Sequence, residues 1–549
     1  MNPFERTFAV RNGALVDTGS FVNPASVKAS ICGAYIRNGI TRLGSADFHA
    51  SGDVWPLWGG NKIGGAFGGE FRFEVYDEYR PPYVGLNPPN SGLDPTISDY
   101  VSASSVPDTH GSRHVSSLFA ETVVPLVGRN FTLPLIHSFE LTAAARYESY
   151  SQFPGFTKPK YGVNWKPLPW IMVRASFNSG FRAPSLVSLF KGSYIGKTLN
   201  STDTYRSVVT GLLTDQSSNR NNLVTGNAHL KPETSKGRSA GIVVDVPYVK
   251  GLSVSVDYWE IRQKDVFATS GSVNDDRDAL LAATQAALAA GQSINAVDLG
   301  SGTPSYKGEG TAVARLPVTQ QDRDLFAAYN ATRSASNQRA AVGAIDYLLT
   351  TYINRSQIFV NGFDFNANYR FPKTAIGSFT FDTRWTRLVT FYANTAVGVP
   401  RTQFLESNTA SAGGASPKWR GHSTLSWRRQ QWGAGVGFYY IGRYCDSSAT
   451  TTQGVYESLG QPAYLQPFFT GGATSYRLVV HDSKAYNVFA TYRFAAKNRW
   501  FAHTDLRLGV NNVLDAKPPL SSAGEGYDTA VYNNLARGRD YSLQLTKKF

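Results

Sequence analysis

Arg539-Asp-Tyr-Ser-Leu-Gln-Leu-Thr-Lys-Lys-Phe549 is the stretch that decides how this chain is read, because its polarity alternates up to an aromatic carboxy-terminus. Successive side chains of an extended strand point to opposite faces. Tyr541, Leu543, Leu545 and Phe549 therefore share one side, and Ser542, Gln544, Thr546 and Lys548 the other. A half-buried strand of a soluble sandwich has this pattern. So does a tilted strand of about ten residues that crosses a bilayer with its apolar face outward and aromatics near its ends. The choice rests on whether the rest of the chain repeats it.

Working outward from the terminus, it does. Leu506, Leu508 and Val510 oppose Asp505, Arg507 and Asn511, and Tyr486, Val488, Ala490, Tyr492 and Phe494 oppose Asn487, Thr491 and Arg493. Further back, Trp432 to Tyr440, Trp419 to Trp427, Phe379 to Trp385 and Phe363 to Phe371 each alternate, as do Leu252 to Tyr258, Ile171 to Phe177, Phe139 to Tyr147 and Ile63 to Phe73. Segments 115–127, 158–166 and 233–246, with Phe48 to Val54, complete a set of about fifteen strands by the same period-two criterion. Short turns and mostly long loops alternate between them. The long loops fall near 78–114, up to 231, 266–350 and 445–484, and a helix is predicted from Asp276 to Ala290, capped by Asn274 or Asp275 and stopped by Gly291. Residues 1–45 are turn-rich without a steady period and read as a loop or the remnant of something upstream, leaving 46–549 as the β-domain.

Asp, Glu, Arg, Asn and Thr recur on one side of nearly every strand. A dry sandwich core does not accept such a face, since an unpaired buried charge costs several kcal/mol, so these residues need a wet lumen or a polar plug. The Phe, Tyr, Trp, Leu and Val on the other side need lipid. No apolar run approaches the 18 or so residues of a membrane helix, which leaves membrane crossing to strands. The expected fold is thus all-β, an antiparallel transmembrane β-barrel, with a large soluble β-domain or lectin as the alternative. The formal charge of +14 is spread among acidic residues rather than gathered on a stripe, which argues against a nucleic-acid partner. It suits contact with anionic lipopolysaccharide or an anionic ligand. Cys32 and Cys445 fit an oxidising compartment, in which they could pair.

Four segments, in order, resemble the carboxy-terminal barrel of TonB-dependent outer-membrane receptors. They are Ala175-Ser-Phe-Asn-Ser-Gly-Phe-Arg-Ala-Pro-Ser-Leu186, Leu230-Lys-Pro-Glu-Thr-Ser235, Val256-Asp-Tyr-Trp-Glu-Ile-Arg262 with Lys264-Asp265, and Val510-Asn-Asn-Val-Leu-Asp515 with Pro518-Pro519. Phe549 is similar to that family's assembly signal, read by the barrel assembly machinery. The resemblance implies a twenty-two-stranded barrel of a Gram-negative outer membrane, with an amino-terminal plug, that takes up a scarce siderophore, carbohydrate or similar ligand using energy passed by TonB. Against that pattern the chain is expected to be a fragment: about 15 of the 22 strands, no plug domain, no TonB box and no secretory leader, with TonB reached only through the missing plug and no transport by this chain alone.

No catalytic constellation stands out. Gly192-Ser-Tyr-Ile-Gly-Lys-Thr198 is one residue too short between its glycines for a phosphate loop, and Gly433, Gly435 and Gly437 alternate within a strand, where they make room for lumenal neighbours. The eight histidines lack metal-ligand spacing, and His422 reads as polar lining. The expectation is a protein without catalysis, cofactor or metal; an outer-membrane barrel enzyme and a passive porin are the alternatives. For ligand capture, the family's use of aromatic and Arg side chains on outer loops points to Arg443, Tyr456, Tyr464, Phe468 and Phe469, whose π-faces and guanidinium hold sugars, chelates or anions. Arg182, Glu233 and Asn512 are assigned to fold and assembly.

Overall fold

The computed structural model describes all residues except 1–5, 21–22, 27–28, 30–32, 95–97, 101–102, 129, 270–272, 300–311, 395–401, 410–413, 471–472, 495–501, 523–525 and 548–549, together with the side chains of a few neighbours, Phe468 and Phe469 among them. Phe549 and Cys32 thus lie outside the described residues.

Fifteen strands form one antiparallel meander, each pairing with its predecessor. They are β1 (Asn38–Pro56), β2 (Lys62–Tyr79), β3 (Thr109–Val127), β4 (Ser138–Tyr150), β5 (Phe153–Leu168), β6 (Ile171–Arg182), β7 (Glu233–Asp245), β8 (Leu252–Thr269), β9 (Tyr352–Arg370), β10 (Ser378–Asn394), β11 (Trp419–Arg429), β12 (Trp432–Ile441), β13 (Ser483–Arg493), β14 (Thr504–Asn511) and β15 (Asp540–Lys547). Every strand read from the sequence is present. Among the described residues the hydrogen-bonded path runs from β1 to β15. No helix among the described residues is long and apolar enough to cross a membrane.

Register fixes which residues share a face, and the two faces reverse the order of a soluble protein. On one, Phe67, Phe71 and Leu118 are 59%, 50% and 60% exposed. On the other, Arg72 bridges Glu70 (3.0 Å) and Glu74 (2.6 Å), Arg113 reaches Glu74 (2.6 Å), and Arg146 joins Glu70 (2.6 Å) to Glu148 (2.5 Å). The side chains of Glu74 and Arg113 are only 21% and 12% exposed. The polar face continues across the sheet through Arg174 and Asp257 (2.7 Å), Ser176 and Ser239, and Thr386 and Asp364. Paired charges are sheltered while aromatics stand bare, which is stable only where the bare face meets something other than water.

Gly433, Gly435 and Gly437 lie on this polar face as expected. A Cβ at Gly435 would sit 2.5 Å from the Phe489 ring, and Phe489 in turn carries the Arg507 guanidinium 4.1 Å above it. Arg182 bonds Glu233 at 2.6 Å, and Glu233 also accepts the Phe267 N–H, tying β6, β7 and β8 at their long-loop ends.

Two readings are corrected. Residues 1–45 are not simply a loop: Arg6–Arg11 and Ala14–Ser20 pair as a hairpin, and β1 begins at Asn38. The overlooked signal is Asn12-Gly13, a two-residue turn with positive φ at both positions (51° and 78°), which these residue types adopt with little strain. The long loops are also more ordered than expected. Those after β6 and β8 form a cap with its own four-stranded sheet, in which Ser218–Val224 runs parallel to Ile345–Thr350. Helices α1 (Val273–Ala289) and α2 (Gln320–Ala331) pack there around Tyr205, Leu280, Phe326, Ala341 and Val342. Helix α1 starts earlier than predicted, placing Asn274 and Asp275 inside it rather than at its cap; Gly291 ends it with φ 75°. Helices are not confined to that loop, since α3 (Thr529–Ala536) lies between β14 and β15.

Candidate ligand-binding site

The ends of β10 to β15 that carry long loops converge on two hollows under a second small sheet. That sheet is ordered Gly414–Ala415, Ser407–Thr409, Tyr444–Thr451, Ala473–Val480, Leu465–Thr470. Ala415, Tyr444, Val480 and Tyr532 form its buried core, against which Ile441, Val531 and Leu535 pack, so the sheet and α3 are one unit. Asp528 caps α3 through the Ala530 N–H (3.1 Å) and accepts the Tyr444 hydroxyl (3.0 Å). Burial, with Tyr532 and Asp528 alongside, pushes the Tyr444 phenol well above its usual range, so it stays a donor.

The larger hollow, of about 490 Å³, lies between α3 and the polar face of the sheet. Tyr439, Asn487, Asn511, Asn534, Arg537 and Asp540 line it. Asn511 donates to Asp540 at 2.6 Å across the β14 and β15 pair, and Asn487 accepts the Asn512 N–H at 2.8 Å. Amides, a phenol and one guanidinium dominate, a set suited to hydrogen-bonding an oxygen-rich ligand. Asn512 also clasps Ala516 through both ends of its amide (2.8 and 2.9 Å) with φ 49°, which fits the structural role assigned to it.

The smaller hollow, of about 300 Å³, holds Arg443 with Glu406, Lys418 and Gln466. Lys418 and Glu406 pair at 2.7 Å. Cys445 lines it as a buried free thiol, its pKa raised by burial. Of the candidates read from sequence, Arg443 is thus placed in a concave site. Tyr456 stacks on Tyr476 (4.0 Å, 14°) on the helix Gln453–Ser458, and Tyr464 lies half exposed on the surface. Phe468 and Phe469 belong to the strand Leu465–Thr470, pairing with Ser475 and Thr474; their side chains are outside the described residues. Sequence reading missed Tyr439, Asn487, Asn511, Asn534, Arg537 and Asp540. Strand parity put Asn487 and Asn511 on the polar face, but only register shows that they stand level beneath α3.

A family description, TonB dependent receptor-like, beta-barrel, matches residues 7–513. The chain belongs to the TonB-dependent receptor family. Among solved structures, the siderophore receptor PirA from Acinetobacter baumannii is 13% identical with a TM-score of 0.51, covering 93% of this chain and 55% of its own. A mutant of the ferric enterobactin receptor PfeA from Pseudomonas aeruginosa, in complex with enterobactin, is 16% identical with the same TM-score and the same coverage. At such identities the likeness shows the fold alone, and this receptor chain spans about 55% of the length of those structures. No curated protein matches it. Among the described residues no group of three His, Cys, Asp or Glu side chains is placed to hold a metal ion.

Proposed function

We propose that this receptor chain is the barrel portion of an outer-membrane uptake system of a Gram-negative bacterium, binding a scarce small molecule at its outer mouth and passing it inward without chemistry. The observation that carries this reading is the reversed polarity of the fifteen-strand meander, exposed aromatics on one face and sheltered ion pairs on the other. Its length of strand suits a membrane, since β8 to β10 each exceed the nine to eleven residues or so that a tilted crossing strand needs. TonB energises uptake through a plug region. Phe549 serves the barrel assembly machinery.

The ligand belongs to the oxygen-rich chelates or saccharides, held by Tyr439, Asn487, Asn511 and Arg537 in the larger hollow and by Arg443 in the smaller, with Tyr456, Tyr464, Phe468 and Phe469 as further contacts from the loops. The family membership and the siderophore receptors of like fold support the chelate class. A heat-modifiable gel shift tests the barrel: the unboiled protein in detergent should migrate apart from the boiled one, and coincident bands overturn the reading. Quenching of intrinsic fluorescence by ferric enterobactin and by a maltodextrin then separates the two ligand classes, with loss of the response in Arg537→Ala placing it in the larger hollow.

A further inference from the structure

Strands β12 to β15, which carry the larger hollow at their long-loop ends, form with β11 an inner hollow at the opposite end of the same polar face. It measures about 260 Å³ and lies by the short turns, with Arg428, Gln431, Thr491, Arg493, Arg507 and Gln544 in its lining. Register builds it: Arg428, Gly433, Thr491, Arg507 and Gln544 stand in one row across the five strands. Arg493 and Asp505 pair in the next row toward the turns. Neighbouring strands lie about 4.8 Å apart, so the backbones of Arg428 and Arg507 are about 14 Å apart, with only Gly433 and Thr491 between them. Gly433 is buried, and a Cβ there would sit 2.5 Å from the Thr491 hydroxyl oxygen. A low, packed floor thus separates two long cationic side chains.

Charge in this hollow is unbalanced. Among the described residues Asp505 is the one carboxylate of the lining, against three guanidinium groups. Arg493 takes both of its oxygens, at 2.7 and 3.3 Å. Arg428 and Arg507 are exposed and have no carboxylate at ion-pair distance among the described residues. The Arg507 guanidinium lies 4.1 Å over the Phe489 ring, which fixes its plane and leaves its N–H edge for a ligand. Thr491 and Gln544 add neutral donors.

Phe489 stands between the two hollows. Asn487 in the lining of the larger one and Thr491 in that of the inner one are four residues apart on β13, about 14 Å at roughly 3.4 Å each. A ligand held at the mouth therefore has a second set of donors one short step inward. The inner hollow is smaller than those that take drug-sized molecules, so it fits a small ion or one arm of a larger one. Guanidinium forks bond planar carboxylates through two parallel N–H donors. We propose that Arg428 and Arg507, with Thr491 and Gln544, form an exit-side site for the carboxylate groups of an anionic chelate leaving the lumen. The site rests on the uptake reading above and adds to it a resting point on the inward path.

The test uses the full chain in detergent with citrate as the probe, in an Arg537→Ala background that silences the larger hollow. Phenylglyoxal modifies accessible guanidinium groups, and peptide mass mapping reads the rate at each. Citrate at about ten times its Kd should slow modification of Arg428 and Arg507 about tenfold by occupancy, while Arg238 on the opposite face keeps its rate. In calorimetry each lost charge-assisted contact weakens binding about tenfold, so Arg428→Gln with Arg507→Gln should bind citrate on the order of 100-fold more weakly. Arg507→Lys keeps the charge without the fork and should fall between. Undiminished binding by the double variant overturns the site, as does equal protection of Arg238 or protection by maltose as strong as by citrate. The heat-modifiable shift, run on the same samples, keeps the two readings apart. A shifted chain whose Arg428 and Arg507 react alike with and without citrate refutes this site alone; an unshifted chain refutes the barrel and this site with it.

Discussion

The wall and the cap of this receptor handle charge in opposite ways. In the wall, Glu70, Arg72, Glu74, Arg113 and Arg146 form a chain of ion pairs along one partly sheltered face, while the aromatics are left bare. In the cap, apolar residues are buried in the ordinary sense around Tyr205 and Phe326, and charges are buried with them. Arg315 reaches Asp203 and Asp276 at 2.7 Å each, with all three side chains no more than 1% exposed. Arg206 joins Asp215 (3.1 Å) and Asp322 (2.8 Å) and donates to the Val342 carbonyl. The wall's charges keep some access to solvent and tolerate loss of a partner. The cap's do not, because a charge stranded there has neither water nor a counterion.

The largest break in this contrast should come from Arg315→Ala, which removes the guanidinium shared by two buried carboxylates and is expected to destabilise the cap by about 3–5 kcal/mol. Limited proteolysis should then cut within 183–232 and 266–350 while the heat-modifiable shift of the wall persists; joint loss of both would show one cooperative unit. Titration probes the same difference. Burial alone would raise the Asp203 carboxyl, but Arg315 beside it and the Arg206 N–H bring it below the usual range, and Asp322, with Thr319 and Arg206, is likewise lowered. Stability from these groups is present above their unfolded pKa near 4 and lost as pH falls through the lower folded values. Burial pushes Tyr205 up to about 12, so its contribution holds below pH of about 10 and fades between there and about 12. Protease susceptibility of the cap should rise at both ends of the scale.

Within the wall, Gly435→Val brings side-chain atoms against the Phe489 ring and should cost about 1–3 kcal/mol, read as a lower temperature at which the gel shift collapses. The smallest effect belongs to Tyr464→Ala at the exposed edge of the mouth, within about 0.5 kcal/mol for stability. Ligand-induced fluorescence change is the measurement that tells whether that ring touches cargo.

What could be read without coordinates follows the range of the interactions. All fifteen wall strands were legible, because each carries its period-two signal in its own residues and pairs with its neighbour in the chain. The strands of the cap were not. Asn221 to Val224 pair with Tyr347 to Thr350, more than a hundred residues on, and nothing local in either segment announces the other. The hairpin at Asn12-Gly13 has a local signal too, in two adjacent residue types that accept positive φ. For the mouth, Arg443 could be found from residue type and loop position, whereas Tyr439, Asn487 and Arg537 meet only through strand register and the packing of α3 on Tyr444 and Val480.

The parallel ladder between Ser218–Val224 and Ile345–Thr350 sets a timetable. Its two partners are separated by the whole β7 and β8 hairpin, so the outer lobe cannot consolidate until that hairpin and the segment beyond it have both been delivered to the same side. Closing so long a loop is slow compared with zipping adjacent strands. The lobe is thus the last part of this region to set, and a chain halted before residue 345 would display two unsealed tongues where the finished molecule carries a single lid.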